Sequence, residues 1–187
     1  MPHKWHARPA HRSERGLMDS MRQAQHALPA TLRELRFEPL LADRLDAVVA
    51  VEQQAYAHAW SRTNFLDALH SGYHVQVLLA EDEVLGYFVA MKGVDEAHLL
   101  NITVAAEHRG QGLARLMLDA LALWTRSQSL DWLWLEARVS NVPAIRLYQR
   151  YGFSRVGLRK DYYPASNGER ESAIVMSLYL NSLNRGS

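Results

Sequence analysis

Arg109-Gly110-Gln111-Gly112-Leu113-Ala114 lies between an alternating run that ends at Val104 and a helix-period run that continues to Ser127. Two glycines let the main chain take positive φ and let an anion approach it without side-chain interference. A helix that starts here aims unpaired N–H groups and the positive end of its dipole at the same point. The junction reads as a pyrophosphate cradle at a strand-to-helix corner. A dinucleotide fingerprint would need glycine where Arg115 stands, and a P-loop would need Lys-Ser or Lys-Thr after the glycines, so both fail. On the hexapeptide alone an ordinary turn remains open.

Outward from this corner the pattern predicts the remaining elements. Leu113, Leu116, Met117, Ala120, Leu121 and Trp124 share one side of a helix over 112–127, which packs on a sheet. Upstream, the runs 75–80 and 85–91 around Glu81-Asp82-Glu83, followed by 98–104, form a three-stranded meander. The segment 32–39 alternates as a half-buried first strand, Asp43 caps a helix striped by Leu45, Val48, Val49, Glu52 and Ala55, and Ser61 caps another bearing Phe65, Leu66 and Leu69. Downstream, the nearly continuous apolar run 130–137 reads as a central strand covered on both faces. Asn141 caps the next helix with Pro143 in its first turn. The segments 153–163 and 173–180 then pair around a loop containing Asn167-Gly168. The order β-α-α-β-β-β-α-β-α-β-β predicts an α/β domain on a mixed central sheet.

A chain of 187 residues, 48% of them hydrophobic, suffices for one domain with its own core. No apolar run approaches the ~20 residues needed to cross a bilayer, and there is no signal core, so a cytoplasmic protein without membrane contact is expected. Without cysteine there is no disulfide framework, thiolate metal site or cysteine nucleophile, and His3, His6 and His11 lack ligand spacing, so no metal is expected. Residues 1–30 carry five Lys or Arg against two acids, with Pro2, Pro9 and Pro29; they read as a disordered basic tail, leaving 31–187 as the domain. The remainder holds sixteen basic against eighteen acidic residues. That balance argues against a nucleic-acid binder, except through the tail, and permits a basic peptide as substrate. Nothing demands more than a monomer or weak dimer.

A second landmark follows at Asn141, Ala144, Leu147-Tyr148 and Gly152-Phe153. Arg-x-x-Gly-x-Ala with Asn-x-x-Ala-x-x-Leu-Tyr-x-x-x-Gly-Phe resembles the two acetyl-coenzyme A motifs of the GCN5-related N-acetyltransferases (GNAT). Within these, Ala59-Trp60-Ser61, Asn101-Ile102-Thr103-Val104, Leu133-Trp134-Leu135-Glu136, Tyr162-Tyr163-Pro164 and Ala173-Ile174-Val175-Met176 are similar to the ribosomal-protein alanine N-acetyltransferases of the RimI type. The resemblance implies two parallel strands, ending near Val104 and Ala137, that splay apart to admit the pantetheine arm. It also implies acetyl transfer from acetyl-CoA to a protein N-terminus, the alanine of small-subunit ribosomal protein bS18, by direct attack in a ternary complex. Other readings are a small-molecule amine as acceptor and a non-catalytic acyl-CoA sensor.

The resemblance assigns the diphosphate to Gly110, Gln111, Gly112, Leu113 and Ala114, with Arg109 and Arg115 either pairing with the phosphates or standing as ordinary surface residues. It assigns the arm to Asn141 and to main-chain groups of Ile102, Thr103 and Val104 that the splay leaves unpaired, with an amide near Val104 facing the developing oxyanion. An α-amine must lose a proton before or during attack. Glu136, at the end of a strand expected to be buried, suits a proton acceptor because burial raises the proton affinity of a carboxylate; the alternative is an acid paired with Arg138 or left in solvent. By the same resemblance Tyr148 protonates the departing thiolate, against the alternative of aromatic packing. Trp60, Tyr162 and Tyr163 are acceptor-groove residues by likeness, with the loop around Tyr56–Ser61 as one wall; the alternative for each is core or rim packing. Asp161, Glu169 and Glu171 could attract an arginine-rich peptide end, or form a solvated turn.

Overall fold

The structure, a computed structural model, describes residues 14–27, 34–165 and 168–180. They divide between an amino-terminal unit, within residues 12–92 and 99–123, and a carboxy-terminal unit, which includes residues 93–98 and 124–180. The expected α/β class with a mixed sheet is found, and from the first strand onward the elements follow the predicted order.

The amino-terminal unit holds α1 (Glu14–Ala27), β1 (Leu35–Pro39), α2 (Leu45–Ala55), α3 (Arg62–His70), β2 (His74–Ala80) and β3 (Glu83–Lys92). It also takes residues 99–104 of β4 (Glu96–Val104), a 3₁₀ turn at Ala106–His108, and residues 113–123 of α4 (Leu113–Ser127). Its strand order is β1-β2-β3-β4. β1 pairs antiparallel with β2 from Leu35↔Ala80 to Pro39↔Gln76, and β2 with β3 from His74↔Ala90 to Ala80↔Glu83. Alternation along these strands and the stripe of α2 converge on a core of Leu45, Val48, Phe65, Val75, Val77, Leu79, Tyr87 and Val89, in which the Phe65 and Tyr87 rings lie 5.3 Å apart.

Ser61 caps α3 as expected, in a capping box: its hydroxyl accepts from the Asn64 amide at 3.2 Å while Asn64 Oδ1 accepts from the Ser61 N–H at 2.8 Å. Asp43 does not cap α2. The helix starts at Leu45 behind Arg44, which takes helical φ and ψ and sends its guanidinium to Asp82, 3.2 Å away. Residues 14–27, read from sequence as tail, form α1, and the Ser20 hydroxyl donates to Asp119 on α4. Its stretch holds good helix formers such as Arg15, Leu17, Met18 and Gln23, and the prolines that signalled a tail lie beyond its ends. The rest of the expected tail lies outside the described residues.

The carboxy-terminal unit holds β5 (Trp132–Arg138), α5 (Val142–Tyr151), β6 (Ser154–Pro164) and β7 (Arg170–Tyr179), with residues 96–98 of β4. Its order is β4-β5-β7-β6, with β4 and β5 parallel. β5 pairs antiparallel with β7 from Trp132↔Tyr179 to Arg138↔Ala173, and β6 with β7 across register shifts at 155–157 and 159–163. Asn141 caps α5, its side chain accepting from the Ala144 amide at 3.3 Å, with Pro143 in the first turn. The paired strands at 153–163 and 173–180 are found in this hairpin; of the Asn167-Gly168 turn only Gly168 is described, at φ +76°.

β5 is not covered on both faces. Leu133, Leu135 and Ala137 are buried, whereas Trp132, Trp134, Glu136 and Arg138 are half-buried on the opposite face. Two tryptophans made the run look uniformly apolar, but such large rings also pack at a rim, and Trp132 stacks 4.9 Å from Tyr179.

Candidate active site

The glycine corner belongs to the amino-terminal unit. Gly110 and Gly112 have φ of +78° and +82°, and a Cβ at either would meet nothing within 4 Å. Their requirement is therefore conformational, since open space surrounds them where a ligand can approach. The 3₁₀ turn before them is pinned by buried His108, whose Nε2 lies 2.8 Å from Glu83 Oε1. The first α4 bond runs from the Leu116 amide to the Gly112 carbonyl at 3.1 Å, so the amides before Leu116 form the first turn, where intrahelical partners are lacking. Gln111 donates to the Glu107 carbonyl at 3.4 Å, and among the described residues its buried Oε1 has no partner. Leu113 is buried, Ala114 half-buried and Arg115 exposed. A main-chain donor set at a helix start suits a diphosphate, whose oxygens accept from unpaired N–H groups.

Strand β3 brings β4 close to this corner. A Cβ on Gly86 would stand 2.5 Å from the Thr103 carbonyl oxygen and 3.1 Å from the Met117 side chain, so glycine there permits the close approach. The end of β4 differs from expectation. The Ile102 carbonyl accepts from the Tyr56 hydroxyl at 3.2 Å, and the Val104 carbonyl from Arg109 Nε at 3.2 Å. Both oxygens already have side-chain partners, because Tyr56 and Arg109 flank the strand end. Burial raises the Tyr56 phenol above its ordinary value, against a hydrogen bond with Thr103 that lowers it.

Beneath that strand end lies a buried polar cluster that sequence reasoning missed. Glu52 is 1% exposed. Its Oε1 accepts from the Trp60 amide at 2.8 Å and from Asn101 Nδ2 at 3.2 Å; its Oε2 accepts from the Tyr87 hydroxyl and from Thr103 Oγ1 at 3.4 Å. Burial, then the Glu52 charge, pushes the Tyr87 phenol far above the ordinary range. The Trp60 ring packs 5.4 Å from Phe65. The one signal in the sequence was an acid at a core position of the α2 stripe.

In the carboxy-terminal unit, Glu136 Oε1 lies 2.5 Å from Arg159, and the Glu136 side chain is 25% exposed. The Arg159 guanidinium stacks 4.0 Å from the Tyr162 ring centroid, and the Tyr163 hydroxyl donates to the Glu136 carbonyl at 3.3 Å. Burial, with the Glu136 charge next, pushes the Tyr163 phenol up to about 12. Glu136 is thus neither fully buried nor paired with Arg138. Arg138 instead reaches Glu171 at 3.2 Å and sits 4.5 Å over the Tyr163 ring.

Glu171 also accepts from the Ser140 amide at 2.7 Å. Burial alone would raise its carboxyl, but the bonds from Ser140 and Arg138 outweigh burial and hold it below the ordinary value. It is committed to its own hairpin, while Asp161 and Glu169 are exposed. The structure therefore brings Glu136, Tyr162 and Tyr163 together. Tyr148 and Asn141 sit on α5 of the same unit, with the Tyr148 ring buried 5.8 Å from Phe153 and Asn141 occupied as a cap. Among the described residues, Glu83, Glu107 and His108 gather three possible metal-ligand atoms within 4.8 Å of one another, a grouping invisible to local spacing.

Residues 32–153 match the acetyltransferase (GNAT) family. The chain belongs to the GNAT acetyltransferases. It is 32% identical over 143 residues to the [ribosomal protein bS18]-alanine N-acetyltransferase of Haemophilus ducreyi, covering 76% of this chain and 99% of that one. The enzyme of the same name from Escherichia coli K12 is 36% identical over 134 residues, covering 72% of this chain and 90% of the relative. The crystal structure of the ribosomal-protein-S18-alanine N-acetyltransferase from Escherichia coli is similar with a TM-score of 0.75 at 32% identity, over 82% of this chain and 99% of that one. Arabidopsis thaliana NAA60, solved with a bisubstrate analogue, shares the fold with a TM-score of 0.70 at 16% identity, over 79% of this chain and all of that one. In this GNAT chain α1 precedes the family match, and β6 and β7 follow it.

Proposed function

We propose that this GNAT acetyltransferase transfers acetyl from acetyl-CoA to the N-terminal α-amine of a protein, the alanine of ribosomal protein bS18, by direct attack. The observation that carries this reading is the near-complete span of the two named enzymes, 99% and 90% of their lengths at 32% and 36% identity. The glycine corner supports it with a donor set suited to a diphosphate, and Glu136 beside two tyrosines supports it with a carboxylate in an aromatic setting.

Acetyl-CoA supplies the thioester, and its diphosphate is assigned to the amides of Gly110, Gly112, Leu113 and Ala114, with Arg109, Gln111 and Arg115 around them. Glu136 takes a proton from the α-ammonium, directly or through water, once the acceptor has displaced Arg159. The amine nitrogen bonds to the acetyl carbon, and an amide near Val104 stabilises the developing oxyanion. The carbon–sulfur bond then breaks, Tyr148 gives its phenol proton to the thiolate, and the second proton lost by the attacking nitrogen as the amide forms restores the phenol. Ile102, Thr103 and Asn141 hold the arm, while Trp60, Tyr162 and Tyr163 contact the acceptor. The reaction belongs to the cytoplasm, in a monomer or weak dimer.

The test is incubation of the full chain with acetyl-CoA and peptides that differ only in the first residue. Acetylation confined to the α-amine, fastest with alanine first, is expected. Turnover on small amines but on no peptide would favour the small-molecule reading, and acetyl-CoA binding without turnover the sensor reading.

A further inference from the structure

A carboxylate buried as deeply as Glu52 loses its hydration and needs compensation. Among the described residues its partners are all neutral donors: the Trp60 amide, Asn101, Tyr87 and Thr103. They come from three places in the amino-terminal unit, namely the loop between α2 and α3, strand β3 and strand β4. One further link extends the network, since Thr103 Oγ1 lies 3.4 Å from the Tyr56 hydroxyl, which itself donates to the Ile102 carbonyl.

Both ends of the loop 56–61 are thereby tied to β4. Its start is held by the Tyr56 hydroxyl on the Ile102 carbonyl, and its end by the Trp60 amide on Glu52, whose other oxygen receives Thr103. Between them the loop offers an exposed Tyr56, an exposed His58 and a half-buried Trp60. A loop held at both ends can present these rings in one arrangement rather than many, which lowers the entropy lost when an acceptor docks.

We infer that Glu52 is a positioning residue for acceptor recognition: it fastens the Tyr56–Ser61 loop to β4 and so sets where the acceptor's first residues dock. This deepens, and rests on, the proposed transfer to a protein N-terminus. Glu52 touches no reacting atom; its effect passes through Trp60 and Tyr56. Loss of the carboxylate leaves the Trp60 amide, Asn101 and Tyr87 without their acceptor, and the loop then samples positions that do not fit the peptide.

The experiment compares the full-length wild type with Glu52→Gln, Glu52→Ala and Tyr87→Phe. Asp46→Asn serves as a control that breaks an exposed pair with Arg62 on the same two helices. Each is measured for kcat and KM with an alanine-first peptide at saturating acetyl-CoA, and for acetyl-CoA affinity by calorimetry. Glu52→Ala is expected to raise the peptide KM about tenfold or more, with smaller rises for Glu52→Gln and Tyr87→Phe. Acetyl-CoA affinity is expected to stay within about twofold, and Asp46→Asn to match wild type.

A fastener of the fold alone would lower thermal stability without splitting the two substrates. An unchanged peptide KM in the folded variants, or an equal loss of affinity for acetyl-CoA, would therefore overturn the assignment. If Glu52→Ala does not fold, the two milder variants decide by the same criteria. A wild type that acetylates no peptide would overturn the functional reading and this inference with it, whereas normal wild-type turnover with unchanged variants overturns this inference alone.

Discussion

Glu136 is held by a cation before any substrate arrives. Arg159 bonds its carboxylate and stacks on Tyr162, so an approaching α-ammonium competes for the same oxygen. If Glu136 is the proton acceptor, Glu136→Gln should lower kcat by about 100-fold or more while acetyl-CoA still binds, as steady-state kinetics and calorimetry would show. Tyr148→Phe should also slow turnover and leave peptide affinity nearly intact; a rate equal to wild type would return Tyr148 to the packing role that its contact with Phe153 already displays. At the glycine corner, Gly112→Ala forces a Cβ onto a backbone with φ of +82°, at a cost of roughly 1–2 kcal/mol. Acetyl-CoA affinity should fall by about tenfold, because the loop must relax away from the geometry that aims its amides.

At the scale of elements, close strand approach and histidine burial make separate claims. Gly86→Ala would drive a Cβ into the Thr103 carbonyl, so the Tm should drop by about 2–12 °C, and an unchanged Tm would show that β4 can yield. Burial lowers the His74 imidazole to about 4. Between that value and the ordinary 6.5 the unfolded chain binds the proton and the folded chain does not, so stability falls as pH drops through this window. The loss is on the order of 1 kcal/mol once partial exposure is discounted, and His74→Gln should flatten the Tm-versus-pH curve there.

The elements also show what local patterns can carry. Ser61 and Asn141 were readable because a cap is decided within three residues, and the glycine corner because φ is a property of the residue itself. Glu52 was hidden because its partners at Tyr87 and Thr103 are 35 and 51 positions away, and the pairing of Glu136 with Arg159 because it crosses 23 positions. Both depend on sheet register, which periodicity does not reveal. The two-sided burial expected of β5 failed for a different reason, since tryptophan scores as apolar yet settles at the rim.

For the whole molecule, membership in the GNAT acetyltransferases fixes the class of chemistry, and the proposals concern which groups perform it and on what acceptor. Among the described residues no helix is long and apolar enough to cross a membrane. The most direct measurement is mass spectrometry of a bS18 N-terminal peptide after incubation with the full chain and acetyl-CoA, with fragment ions locating the new group. One acetyl is expected on the alanine α-amine, formed only with active Glu136. Binding of acetyl-CoA with no acetyl on that amine, or an equal rate from Glu136→Gln, would contradict it.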